Sequence, residues 1–370
     1  MLHAKISNAL AEKLKDLLIR SGSLDHAREI QHRRSYVYFP VVIKGENTKK
    51  LLIDAGCELV DIKDAMNKHV DVSTALKNEL GTERTGVRYD ILGGTAVLNL
   101  PDGMDHDGAM RIAKALRKAN PNIKTVLARS GAVSGEYRTR DYAYLCGRKS
   151  FNVIYRENGC IFSFDIRKTF FSSRLSFERN RIANAVSNGE KVMVMFAGIG
   201  PFAIEIAKRN RDSDVVAIEL NPYAYRQMVK NIKLNKAGNV KAILGDVRDV
   251  CKIYKGFADR IVMPLPKIST SFLDQALAAA KDSGIVHIYS FLDRKDGMKK
   301  LIGEIRAHGR ANSYSVEVLF TREVRPYSAR EVEVVVDYRI LHNKKAPDAL
   351  LHKPDMASVE STTKSVQKGI

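Results

Sequence analysis

Apolar and polar positions alternate most regularly between Val192 and Met263, where their spacing predicts strands and helices in turn. Val192, Val194 and Phe196 read as one buried strand, followed by Gly198 and Gly200, which let the backbone turn sharply without a Cβ in the way. Phe202 to Lys208 takes up helical periodicity, and Asp214 to Ile218 reads as the next strand, with Glu219 at its carboxyl end. A helix with Tyr223, Met228 and Ile232 on one face leads to a third strand, Val240 to Leu244, which ends in Gly245-Asp246. Arg260 to Met263 is a fourth strand, closing in Pro264-Leu265-Pro266, and Ile285 to Tyr289 is a further one. Strand and helix in this order predict an α/β domain.

Upstream the pattern is different. Ile6, Leu10, Leu14, Leu17 and Leu18 form one face of a first helix, stopped near Ser21-Gly22. Strands are expected at Tyr36 to Ile43 and around Glu58 to Ile62, which makes a small α+β module. Tyr89 to Leu100 holds two apolar runs around Gly93-Gly94, a strand pair with a turn. A helix, Asp107 to Lys118, and a strand, Lys124 to Ala128, complete a second α+β module. The expected boundaries are 1–70 and 71–150 for the two modules, 151–342 for the α/β domain and 343–370 for a polar, aperiodic tail read as disordered.

Charge adds a partner class. Lys and Arg number 61 against 42 Asp and Glu, a formal net charge of +19. A chain this basic usually meets a polyanion through sequence-independent, salt-sensitive contacts; the plainer alternative is a generally basic, solvated surface. No apolar run approaches the length that spans a bilayer, so no membrane partner is expected. The opening residues are amphipathic and include acidic ones, unlike a signal or a typical transit peptide. Cys57, Cys146, Cys160 and Cys251 are scattered without a C-x-x-C pair, as ordinary thiols of a reducing cytosol are, so neither a metal site nor a disulfide frame is expected.

The turn at Gly198 and Gly200 carries the candidate chemistry. Glu219 follows Gly198 by 21 residues, the register at which a βαβ unit hydrogen-bonds ribose hydroxyls. Gly198, Gly200 and Ala203 fit G-x-G-x-x-A, so a dinucleotide is one reading. The downstream residues favour S-adenosylmethionine: Asp246 after the third strand is placed to hold an adenine amino group. The Pro264-Leu265-Pro266 loop lies where a methyltransferase puts its target nucleotide. Phe196 and Val247 complete the candidate cofactor set.

Six stretches in order resemble the tRNA (guanine-37 N1)-methyltransferases of archaea and eukaryotes and their wybutosine-pathway relatives. They are YDILGGTAVLNLP, GEYRTR, RENGCIFSFDIRKTFFSSRLSFER, MFAGIGPFAI, MPLPK and RPYSARE, and the likeness spans about residues 5 to 341. The resemblance implies a Rossmann-like class I methyltransferase domain preceded by two small α+β tRNA-binding domains. It also implies a cytoplasmic enzyme that uses S-adenosylmethionine and tRNA, and a monomer is expected.

Guanine N1 carries a proton and is a poor nucleophile, so methylation there needs a base near N1 and a donor near O6. The resemblance assigns the base to Glu178, the O6 donor to Arg138, and a wall of the base pocket to Pro266. Read without the resemblance, Glu178 pairs with Arg174 or Arg181 on a helix face, and Arg138 and Arg140 are phosphate contacts. His287 reads as a satisfied core histidine.

Four positions depart from the family pattern: Pro264 for the asparagine of N-L-P, Val194 for an aspartate, Phe170 for a tyrosine and Ser173 for a proline. Loss of the amide removes a polar handle worth about 1–3 kcal/mol. Two relatives therefore stay open, one transferring an aminocarboxypropyl group and one methylating a tricyclic wybutosine intermediate, together with a catalytically degenerate tRNA-binding protein.

Overall fold

A computed structural model describes residues 2–25, 30–33, 35–43, 45–62 and 87–342. The boundary expected at 70 and the tail expected from 343 lie outside these residues. The chain divides into two compact units, Met1–Ala132 with Arg140–Val153, and Val133–Thr139 with the chain from Ile154 onward.

The first unit contains two four-stranded sheets. One has the order β2-β3-β1-β4, with β1 Leu2–Ser7, β2 Gln31–Arg33, β3 Tyr36–Pro40 and β4 Glu58–Asp61. Helices α1 (Ala11–Arg20) and α2 (Glu46–Asp54) contribute Leu14, Leu18 and Leu52 to the core under it. The pattern placed Ile6 on the first helix, but it belongs to β1. There Ala4 and Ile6 alternate inward, and the strand is central, paired antiparallel to both β3 and β4. Tertiary pairing overrides a helical spacing that Ile6 satisfied only by count. Leu10, placed on the same face, lies in a 3-10 turn and is 42% exposed.

The other sheet has the order β5-β6-β7-β8, with β5 Arg88–Leu92, β6 Thr95–Asn99, β7 Thr125–Ser134 and β8 Thr139–Gly147. The β5–β6 hairpin turns at Gly93, whose φ of 58° favours glycine. Helix α3 (His106–Ala119) crosses over between the parallel strands β6 and β7. Asp105 caps it by accepting from Gly108 N at 2.8 Å, and Ile112, Ala113 and Leu116 pack against Leu98 and Val126.

The second unit begins with a hairpin, β9 (Asn152–Glu157) and β10 (Cys160–Asp165), followed by α4 (Ser176–Ala185). Its seven-stranded sheet comprises β11 (Lys191–Val194), β12 (Asp214–Glu219), β13 (Val240–Leu244), β14 (Ala258–Met263), β15 (Ala280–Asp293), β16 (Tyr314–Pro326) and β17 (Glu331–His342). The order is β13-β12-β11-β14-β15-β17-β16. Strands from β13 through β15 are parallel, and β17 and β16 follow antiparallel. Helices α5 (Pro201–Arg209), α6 (Pro222–Asn235), α7 (Val247–Ile253), α8 (Leu273–Ala279) and α9 (Gly297–Ala311) lie between the strands in sequence. Met193, Val216, Ile261, Met263, Ile288 and Val336 belong to one core cluster of this sheet. Two sequence expectations change here. Strand β11 stops at Val194, because Phe196 takes a left-handed φ of 55° and leaves the ladder; β15 extends beyond 285–289 at both ends. All four cysteines are free and buried.

Helix α4 is fastened by a buried ion cluster. Arg179 donates through Nη2 to Glu157 Oε2 at 2.7 Å and to Ser172 O at 3.1 Å, and its Nε lies 3.4 Å from Glu205 Oε1. Two buried carboxylates thus face one guanidinium. Burial, opposed by Arg179 and reinforced by Glu157, pushes the Glu205 carboxyl up to about 8. Glu205 holds its proton more tightly folded than unfolded, so stability present at acid pH is lost as pH rises through the folded value. Glu205→Gln should abolish that loss, giving a higher melting temperature than wild type at a pH of about 9. A wild-type melting temperature that does not fall between pH of about 6 and about 9 contradicts this assignment.

Candidate active site

The sheet's carboxyl edge is built to receive a ligand at the switch point between β11 and β14, where neighbouring connections leave in opposite directions. After β11, Met195 N donates to Val262 O at 3.0 Å and Ala197 N to Ile218 O at 2.8 Å, so the loop is tied to strands on both sides. Phe196, Gly198 and Gly200 all have positive φ, and Gly200 N closes the turn on Ala197 O at 2.9 Å. The two glycines serve differently. A Cβ on Gly200 would come within 2.9 Å of Met228 Cγ, whereas one on Gly198 would meet nothing nearer than Phe170 O at 3.8 Å. The space over Gly198 is therefore open, and bare backbone faces it.

Glu219 closes this crevice at the end of β12. Its Oε2 accepts from Gly198 N at 2.6 Å and its Oε1 from Asn221 N at 2.8 Å. Burial raises its carboxyl above the usual range, and these backbone bonds work in the opposite direction. Asn221 Oδ1 in turn caps α6 through Tyr223 N at 2.9 Å, so one carboxylate joins the glycine turn to the next helix. Asp246 caps α7 through Arg248 N at 2.7 Å and pairs with the Arg248 guanidinium at 3.0 Å. Arg248 lies over Phe272, whose ring meets the edge of Phe196 at 4.7 Å. Val247 turns its side chain into the core, leaving its backbone to anything in the crevice. An open glycine turn ringed by two carboxylates and an aromatic edge fits a nucleoside-bearing cofactor.

The second half of the site lies against one face of β15, β17 and β16. Glu178, in the first turn of α4, is 1% exposed. Its Oε2 accepts from Arg181 Nε at 2.9 Å and Tyr289 Oη at 3.0 Å, and its Oε1 from Arg322 Nη1 at 3.3 Å. The pairing with Arg181 expected from helical spacing exists, but it is buried and shared with two groups from the sheet. Those two, Tyr289 and Arg322, escaped the sequence reading, since nothing local marks strand residues that reach over a hundred positions back.

Arg138 belongs to the same compact unit as Glu178, while Arg140 belongs to the other. It sits in a turn with φ 52°, its N donating to Gly135 O at 3.1 Å, and its guanidinium lies over the Phe170 ring at 5.5 Å. Burial lowers its pKa, opposed by Tyr327 and Glu333 at longer range. Among the described residues no carboxylate forms a salt bridge with it. Pro266 is buried after β14, pinned by Phe291 N to its carbonyl at 3.1 Å, and Phe291 stacks on Tyr327 at 3.9 Å. His287 is buried in the core, with Nε2 2.9 Å from Arg260 Nη1; Nδ1 lies 2.7 Å from Asp337 Oδ1 but is not aligned for a hydrogen bond, so the ring is not fully satisfied as expected.

Comparison with known proteins agrees with this geometry. The TRM5/TYW2 methyltransferase domain family matches residues 153–319, and the TYW2 N-terminal domain family matches 72–150. The tRNA (guanine(37)-N(1))-methyltransferase Trm5b of Pyrococcus abyssi is 33% identical over 340 residues, 92% of this chain and 99% of that one. A tRNA(Phe) (4-demethylwyosine(37)-C(7)) aminocarboxypropyltransferase of Methanocaldococcus jannaschii is 32% identical over 252 residues, 68% of this chain and 97% of that one. The solved complex of aTrm5 with tRNALeu aligns with a TM-score of 0.69 at 30% identity, covering 93% of this chain and all of that one. A class I sheet order, a carboxylate-closed glycine turn and near-complete coverage by such relatives place the chain in the Trm5/TYW2 methyltransferase family.

Proposed function

We propose that this protein transfers the methyl group of S-adenosylmethionine to N1 of guanine 37 in tRNA, as a cytoplasmic enzyme. The observation that carries the reading is Glu178, a buried carboxylate held by three donors, one of which, Tyr289, has its ring 5.9 Å from that of Phe202 in the helix that follows the glycine turn. S-adenosylmethionine, when bound, supplies an electrophilic sulfonium methyl. Glu219 would accept from the ribose hydroxyls, Asp246 would hold the adenine amino group, and Gly198 would allow close backbone approach, while Gly200, packed on Met228, shapes the turn. Phe196 and Val247 line that crevice.

Glu178 takes the N1 proton of a guanine extruded from its stack, and Arg138 holds the charge that moves onto O6. Pro266 walls the base pocket, and the +19 surface supplies phosphate contacts. Glu219→Ala should weaken S-adenosylhomocysteine binding at least tenfold, about 1.4 kcal/mol. Unchanged affinity by calorimetry would remove Glu219 from the cofactor site.

Two observations favour a second reading, aminocarboxypropyl transfer: Pro264 replaces the asparagine of the methyltransferase loop, and residues 72–150 match a TYW2 domain. Mass spectrometry of nucleosides from tRNA incubated with the protein and S-adenosylmethionine separates the two. N1-methylguanine supports the first, an aminocarboxypropyl nucleoside the second, and neither product rejects both.

A further inference from the structure

Behind Glu178 a line of buried and half-buried polar side chains runs across the sheet face. Arg181, which donates to Glu178, also places Nη2 3.4 Å from Asp337 Oδ1 and bonds Asp337 Oδ2 through Nη1. Asp337 on β17 stands directly opposite His287 on β15. His287 Nε2 faces Arg260 Nη1 at 2.9 Å; a guanidinium only donates, so Nε2 is the acceptor and the proton of the neutral ring sits on Nδ1, which lies 2.7 Å from Asp337 Oδ1. Arg260 is itself fixed by Glu190 at 2.7 Å and by Ala185 O, the last residue of α4, at 2.8 Å. The line therefore starts at one end of α4 and returns to Glu178 at the other.

We infer that Asp337 is a positioning residue for methyl transfer: it fixes the Arg181 fork, and Arg181 in turn fixes the rotamer of the Glu178 carboxylate. The geometry leaves Arg181 little choice. Its guanidinium is bounded by Phe320, whose ring centroid is 4.7 Å away, by Asp337 on one edge and by Glu178 on the other. A planar fork held on one edge presents its other donors in a set direction, which a flexible ammonium cannot do. Electrostatics point the same way. Burial works against the Asp337 charge, yet His287 and Arg181 hold its carboxyl below the usual range; burial keeps His287 neutral against the pull of Asp337. The chain thus holds a charged Asp337 facing Arg181 and a single imidazole tautomer whose accepting nitrogen is occupied by Arg260.

This inference rests on the assignment of Glu178 as the base, and the test separates the two. Asp337→Asn keeps the shape but turns an amide N–H₂ toward donors. Single-turnover formation of N1-methylguanine should fall at least tenfold, while affinities for S-adenosylhomocysteine and tRNA stay within about twofold, since no contact to either is touched. Arg181→Lys, which keeps the charge and loses the fork, should show the same split and decides the matter if Asp337→Asn does not fold. Each substitution combined with Glu178→Gln should be no slower than Glu178→Gln alone, because residues that act through one group are not additive. Rates near wild type in both variants, or losses that multiply on the Glu178→Gln background, overturn the inference while leaving the methylation reading intact. A wild-type protein that forms no N1-methylguanine removes the parent reading and this one together.

Discussion

Glu178→Gln is expected to slow single-turnover methyl transfer by about 100- to 10,000-fold, the range typical of losing a general base. The substitution removes a proton acceptor and little else in volume. Cofactor affinity should stay unchanged, because the residues assigned to that crevice, Gly198, Glu219 and Asp246, make none of their hydrogen bonds to Glu178. Two details sharpen the expectation. The carboxylate is buried and takes bonds from Arg181 and Tyr289 on one oxygen and Arg322 on the other, so the amide in its place turns N–H toward one arginine donor in either orientation and cannot satisfy them all. Guanine N1 must still lose its proton, so the residual rate should rise with pH as solution base takes over. A Glu178→Gln rate equal to wild type, measured by rapid quench at saturating S-adenosylmethionine, would leave Glu178 as a purely structural ion cluster.

Arg138→Ala is expected to slow transfer by a factor of about 100 or more, the usual consequence of deleting a donor aimed at developing charge. The described structure gives Arg138 no carboxylate partner, a cation–aromatic contact with Phe170 and a left-handed backbone at a turn. Its donors are therefore held in place without being consumed by an ion pair. Arg138→Lys keeps the charge but loses the planar fork, and it should recover only part of the rate. Single-turnover rates for both variants, with tRNA affinity measured alongside, distinguish an O6 donor from a phosphate contact. A phosphate contact would weaken binding in step with salt and spare the rate at saturating tRNA.

The sequence made the α/β unit legible because its buried parallel strands are continuous apolar runs bounded by glycine and carboxylate, a signal that needs no long-range information. The glycine turn, Glu219 and Asp246 all lie where the spacing puts them, at strand ends. Less could be read where pairing decides. Ile6 satisfies a helical count and yet lies in a central strand, because β3 and β4 flank it. Phe196 continues an alternation but leaves its strand, since the loop needs a left-handed residue there. The partners of Glu178 show the limit most clearly. Arg181 is visible at helical spacing, whereas Tyr289 and Arg322, and Asp337 behind Arg181, arrive from strands whose registers no local pattern fixes.

The hairpin joining β7 to β8 has a practical consequence for anyone cutting or recombining this chain. Its strands count with the first compact unit, but its tip, Val133–Thr139, counts with the second. A fragment starting at Ile154 would keep the seven-stranded sheet, the glycine turn and Glu178, and would lack Arg138. Grafting the middle segment of one relative onto the sheet of another would likewise import a foreign arginine turn into the recipient's chemistry. Chimeras within this family should therefore carry residues 133–139 together with the catalytic half, as an inseparable insert, if they are to report on tRNA choice without also altering the reaction.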